Sequence, residues 1–375
     1  MRMRAITAAA VAGAAVLLMH EPAYALPTMI RLGYTDCASC HISPQGGGPL
    51  NTYGRGIDAA QSLSGGEYEP SPDTRLTHDV RLHMQEQGAW PTIGARTNVF
   101  RPRLMYRNVT TISNAFRVSG VVTAEGREAP RPGLGYDPAA RSSTLFVNTA
   151  LIHYRPNASI ELAFGRDQLP TGVNVPDLAA YIKSRNRLGY YDAPTQVKLF
   201  WSAKRYHITP FAYAPGGNEP SGERESGGGS LAEVDLIGNQ RLIGGMTIVR
   251  GTATRGDRRT VGAYARLGFG QWGILAEHDV TDRTRIEPVV ASFRQTASYM
   301  QLFWAIREWL VASGIGEQLH VEAPFQEHLV AGKIEIAARL SPKATLVFAT
   351  RIERNMRTGR LTPSVTAQAA FKTVR

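Results

Sequence analysis

The sequence predicts a mostly β protein. The class is an outer-membrane antiparallel β-barrel of about 14–16 strands, by the rule that single-chain barrels use an even number, preceded by a short loop and helical segment. Three observations predict it. Apolar and polar residues alternate with period two through the last three hundred residues. Short turns alternate with long polar connections. Aromatic residues gather near the ends of the alternating runs.

The runs are explicit. Val197, Leu199 and Trp201 alternate with Gln196, Lys198 and Ser202. Val261, Ala263, Ala265, Leu267 and Phe269 alternate with Gly262, Tyr264, Arg266 and Gly268. Ile334, Ile336, Ala338 and Leu340 alternate with Lys333, Glu335, Ala337 and Arg339. Leu346, Phe348 and Ile352 alternate with Thr345, Ala349, Arg351 and Glu353. Each reads as a strand with one apolar and one polar face. Full charges on the polar face, such as Lys198, Arg266 and Arg351, suit a water-filled lumen. A soluble two-sheet sandwich would show the same alternation, but no helices are evident to cover a second face.

Arg155-Pro156-Asn157-Ala158 and Phe269-Gly270-Gln271-Trp272 read as tight turns. Residues 125–142, 216–230 and 281–292 read as long loops. Tyr190-Tyr191, Trp201, Trp272 and Phe303-Trp304 suit interfacial girdles. Outer-membrane barrels often end on an aromatic residue, whereas this chain ends Phe371-Lys372-Thr373-Val374-Arg375.

Residues 1–25 read as a secretory signal. Arg2 and Arg4 precede an apolar run from Ala5 to Met19, and Ala23-Tyr24-Ala25 offers the small-x-small cleavage pattern. The run is short for a retained anchor, which needs about 20 residues. The chain has 42 Lys and Arg against 31 Asp and Glu, and losing Arg2, Arg4 and Glu21 leaves a net charge of +10. Export and the scatter of the bases argue against nucleic acid as a partner. Solvated faces and a pore lining remain, with outer-membrane lipid outside and a small anionic solute as a lumen partner.

The only two cysteines lie in Cys37-Ala38-Ser39-Cys40-His41. An exported pair can form a disulfide, a redox dithiol, or the two thioether links of a c-type haem. His41 decides for the haem. Two thioethers at this spacing bring the iron to the next residue, which must be an imidazole to act as proximal ligand. The expected cofactor is therefore one covalent haem c, with Cys37 and Cys40 attached and His41 on the iron.

The second axial position is open. No Met, His or Lys occurs from Ile42 to Asp73. Candidates elsewhere are Met29, His78, His83, Met84 and Met105, and five-coordinate iron is the alternative. In the first expected barrel strand, Leu76 to Gln85, His83 falls in the lumen phase, whereas His78 and Met84 fall in the lipid phase. His83 is thus the distal candidate, against the plainer reading of a lumen-lining histidine. Gly46-Gly47-Gly48-Pro49 reads as a breaker cluster wrapping the porphyrin edge, residues 51–63 as a short helix, and residues 65–73 as a linker. So short a segment buries little apolar area alone, and must lean on the haem or on the barrel. The domains read as 1–25 signal peptide, 26–73 monohaem segment and linker, and 74–375 transmembrane barrel.

The chain resembles bacterial outer-membrane porin–cytochrome c fusions, in which a monohaem segment precedes a barrel. The resemblance lies in Gly33-Tyr34-Thr35-Asp36-Cys37-Ala38-Ser39-Cys40-His41, then Leu50-Asn51-Thr52-Tyr53-Gly54. Phe164-Gly165-Arg166-Asp167-Gln168-Leu169-Pro170-Thr171-Gly172 looks like the strand and turn of many porins. The resemblance implies an outer-membrane protein with a haem that is periplasmic or docked in the lumen.

The function expected is electron transfer with a periplasmic cytochrome or other redox partner, more an electron carrier or porin than an enzyme. One haem is far smaller than a hydrocarbon layer of about 30 Å, so this chain alone should not conduct across the membrane. Two alternatives stand beside it: a substrate-selective porin with a haem plug or sensor, and a soluble periplasmic haem enzyme on a β-sandwich. No Gly-x-Ser-x-Gly motif or metalloprotease His pair is present.

Overall fold

A computed structural model describes residues 27–32, 34, 37–46, 49–65, 76–89, 99–125, 145–175, 177, 180–189, 192–216, 224–238, 240–254, 256–285 and 291–374. The expected signal peptide, most of the linker and the Tyr190-Tyr191 pair lie outside these residues. Sixteen strands close into one antiparallel barrel. They are Leu76–Ala89 (β1), Val99–Thr111 (β2), Phe116–Glu125 (β3), Leu145–Asn157 (β4), Ile160–Arg166 (β5), Thr195–Ser202 (β6), Tyr206–Ala214 (β7) and Ser226–Asp235 (β8). Then follow Leu242–Ala253 (β9), Gly256–Phe269 (β10), Trp272–Arg285 (β11), Ala291–Arg307 (β12), Leu310–Val321 (β13), Glu327–Ser341 (β14), Ala344–Asn355 (β15) and Leu361–Val374 (β16). Every neighbour in sequence is a neighbour in the wall, and β1 pairs with β16 from Asp79↔Val374 to Ala89↔Ser364. Closure leaves no free strand edge, which a lipid environment demands.

The alternation read from the sequence sorts the two faces. Val197, Leu199 and Trp201 point outward and are exposed, while Gln196, Lys198 and Phe200 are buried on the lumen side. Arg266 and Tyr264 face inward, as their phase predicts. Tight turns connect β4 to β5, β10 to β11 and β12 to β13, and both termini of the barrel lie at that end. Short turns are the periplasmic mark of outer-membrane barrels, and the opposite end has one short connection as well, from Ala253 of β9 to Gly256 of β10. An aromatic girdle rings the tight-turn end: Trp272 and Trp304 stack across β11 and β12 at 5.3 Å and 9°, and Phe116 packs on Tyr154 at 4.7 Å. Trp304 belongs to that girdle, but its neighbour Phe303 turns inward over Gly273, where a Cβ would collide with the ring.

Several boundaries differ from the sequence reading: within residues 281–292, read as a loop, β11 runs on to Arg285 and β12 begins at Ala291. The Gly227-Gly228-Gly229 run lies in β8 rather than in a loop. A Cβ at Gly229 would meet the Phe211 ring, so the glycines give room to a large lumen residue. Arg166 ends β5 and β6 begins only at Thr195, so the turn read at Asp167–Gly172 opens a long connecting loop. That loop carries the short helix Tyr181–Ser184 (α2).

Ahead of the barrel, Pro27–Leu32 forms a 3-10 turn and Thr52–Ala60 forms helix α1. Both pack on lumen-facing wall residues. Ile30 belongs to the same apolar cluster as Leu275, Phe303 and Val311. A Cβ at Gly268 would fall on the Ile30 carbonyl, so glycine permits this approach.

Candidate functional site

Cys37–Ser39 form a single 3-10 turn. The amides of Cys40 and His41 both donate to the Cys37 carbonyl, at 3.2 and 2.9 Å. Both amides close on one carbonyl, so the backbone of Cys37, Cys40 and His41 is held in a single tight turn. Cys37 and Cys40 are half-buried thiols with no disulfide between them.

The segments that carried the resemblance hold this turn in place. His41 and Leu50 form an antiparallel bridge. The Ile42 amide donates to Pro49 O at 3.0 Å, and the Asn51 amide to Cys40 O at 2.9 Å. Gly46 has φ +79, and a Cβ there would stand 3.0 Å from Cys37 Sγ. Gly46, the first residue of the breaker cluster, thus lies against the first cysteine. Asn51 caps α1, accepting from the Gly54 amide at 2.8 Å, while its Nδ2 donates to Ser39 O at 3.1 Å. Gly54 lies directly on Cys40, and any Cβ would overlap the Cys40 carbonyl. The Asn-x-x-Gly spacing therefore clamps α1 to the cysteine turn.

The wall meets this assembly at three places. At β10, Arg266 Nη1 lies 3.7 Å from Cys37 Sγ, and its other nitrogen donates to Glu233 Oε1 of β8 at 2.5 Å. Tyr264 donates to the same oxygen at 2.7 Å. At β6, Lys198 donates to Gln45 at 2.7 Å and pairs with Asp167 at 2.6 Å. At β14 and β16, Asp58 of α1 accepts from Arg339 and from Lys372 at 2.5 Å. Burial pushes the Asp58 carboxyl up, but Arg339 and Lys372 outweigh it and hold it below its ordinary value.

A narrow cleft lies between the cysteine turn, the wall and the segment that follows β5. Cys37, Gln45, Gln168, His207, Glu233 and Arg266 are among its lining residues. No motif in the sequence singles out His207. Only the register of β7, which sets its ring beside the cleft, brings it into view. His83 faces the lumen as its phase predicts and bonds Gln368 at 3.3 Å. His78 faces outward beside Tyr106 at 6.2 Å. Among the described residues no cluster of three or more His, Cys, Asp or Glu forms a metal site.

The loop of residues 167–194 folds into the barrel. Lys183 donates to Thr171 O at 2.7 Å and lies 3.6 Å from Glu277. Tyr181 donates to Glu353, and its amide donates to Glu317 at 3.0 Å. Burial raises the Tyr181 phenol above its ordinary value; Arg351 opposes this and Glu353 adds to it. Asn186 donates to Asp279 at 2.7 Å. The lumen bases singled out by sequence each meet a carboxylate: Lys198 with Asp167, Arg266 with Glu233, Arg351 with Glu317. Their charge is balanced locally, so these three do not by themselves make the bore attractive to anions.

One further chain looks catalytic. Ser119 Oγ lies 2.8 Å from His153 Nε2, and His153 Nδ1 lies 2.7 Å from Glu161. All three side chains are buried in the wall. The surrounding amides belong to the β-ladder, so no donors are left to hold an oxyanion. The chain locks three strands together.

No family model matches the sequence, and no curated protein matches it. Solved structures match the fold. OmpT, an outer-membrane protein of Vibrio cholerae, is 8% identical with a TM-score of 0.56, over 80% of this chain and 97% of that one. An anion-selective porin from Comamonas acidovorans is 10% identical with a TM-score of 0.56, over 80% and 98%. The outer-membrane channel DcaP of Acinetobacter baumannii is 10% identical with a TM-score of 0.56, over 80% and 96%. The chain shares the closed-barrel fold of these outer-membrane proteins.

Proposed function

We propose that this barrel carries one covalent c-type haem and exchanges electrons through it with a periplasmic redox partner. The observation that carries the reading is the cysteine turn. It holds both cysteines and the adjoining histidine in one backbone turn, and Cys37 lines a cleft against the wall. These residues fit the group: Cys37 and Cys40 would hold it and His41 would bind its iron. The haem would supply a one-electron ferric–ferrous couple. The chain's own residues clamp the turn through Asn51 and Gly54, and tie it to the wall through Gln45, Asp58 and Arg266. The ties lie towards the short-turn end, within reach of a partner in the periplasm.

The test is a haem stain on a denaturing gel, with a pyridine haemochrome spectrum of the outer-membrane fraction. Wild-type protein is expected to stain at one haem per chain, and a Cys37→Ser, Cys40→Ser double variant not to stain. An unstained wild type, expressed with its maturation machinery, overturns the proposal.

A further inference from the structure

The pair Arg266–Glu233 is a place where the barrel wall touches the cysteine turn with charge. Arg266 is buried, lies 3.7 Å from Cys37 Sγ and shares a cleft with it. Its carboxylate partner, Glu233, lines the same cleft. A structural salt bridge alone would be satisfied between β8 and β10, yet Arg266 spends its second nitrogen on the cysteine sulfur.

We propose that Arg266 and Glu233 are positioning residues that set the redox potential of the group held at Cys37. The inference rests on the haem reading. A cation near the iron disfavours the more positive ferric form, and an anion favours it. In a site sheltered from water each charge acts with little screening. The two wall charges oppose one another, so removing either one unmasks the other. Tyr264, donating to Glu233 at 2.7 Å, fixes the carboxylate and so the fork of Arg266.

The experiment is a potentiometric titration of the purified full-length holoprotein, followed by optical absorbance. Arg266→Gln is expected to lower the ferrous-to-ferric ratio at fixed ambient potential by about tenfold. That is about 59 mV for a one-electron couple. Glu233→Gln is expected to raise it by a similar factor. Arg266→Lys, which keeps the charge, is expected to stay near wild type. Haem content and heat-modifiable gel mobility are measured on the same samples, so misfolded protein is recognised. Undocking alone would wet the haem in both variants and shift both potentials in one direction; that result overturns the proposal, as does no shift in either. A wild type without haem overturns the functional reading itself, and is seen before any titration starts.

Discussion

Asp58 shows what a single side chain carries in this molecule. It sits on α1, yet its two charged partners are on the wall, Arg339 on β14 and Lys372 on β16. A buried carboxylate between two bases is costly to lose, because both bases are left without their counter-charge. Breaking such a pair costs about 3–5 kcal/mol. Asp58→Ala is therefore expected to loosen the segment from the barrel, seen as faster protease cleavage between residues 49 and 65. Cleavage at the wild-type rate would refute this. The same pair gives a pH dependence. The folded Asp58 is held below its ordinary value of 3.8, so its contribution is full above that pH. It is lost as pH falls below 3.8 through the depressed folded value. Docking is expected to weaken only in that acid window, and to be unchanged between pH 5 and 8. None of this was legible in the sequence: Asp58 reads as an ordinary helix carboxylate, and its partners lie 281 and 314 residues away.

At the scale of elements, the wall was legible and the loop inside it was not. Period two is imposed by lipid on one side and polar lumen on the other, so residues such as Val261 and Arg266 declare their faces locally. The tight turn Phe269–Trp272 was equally plain. Residues 167–194 carry no such alternation. Their inward course is set by partners on β9, β11, β13 and β15, which no local pattern encodes. Gly172 marks the course afterwards: it has φ +51, and a Cβ there would collide with the Glu277 carboxylate, while its amide donates to Thr247 at 3.0 Å. Gly172→Ala is expected to unseat the loop. The strained backbone alone costs roughly 1–3 kcal/mol. Single-channel recordings in planar bilayers should then show noisier and larger currents than wild type. Identical traces would mean that the loop does not depend on this glycine.

For the whole molecule, the positions of the three ties around the ring decide what the N-terminal segment does to the bore. They fall on β6, on β10, and on β14 with β16, in a ring of sixteen. The first and second are four steps apart around the ring, the second and third four, and β16 and β6 six. A segment tied at such spacing must cross the opening rather than lie along one side. The ties also share a level. Gly268 and Arg339 lie just before tight turns, and Lys198 lies four residues before the end of β6. A sixteen-stranded barrel is otherwise wide enough for an aqueous channel. The segment, tied towards the short-turn end, and the described residues after β5 both pack on lumen-facing wall residues and so obstruct it. Removing residues 26–65 while retaining the signal and the barrel should relieve the segment's obstruction alone. The expected result is a several-fold rise in single-channel conductance with unchanged heat-modifiable mobility, because strand closure by β1 and β16 does not involve the removed residues. Asp58→Ala should give part of that rise, as intermittent openings, since it releases one tie of three. Equal conductance in the full and shortened chains would show that the segment leaves the bore open. Its ties to the wall would then serve only to hold the cysteine turn.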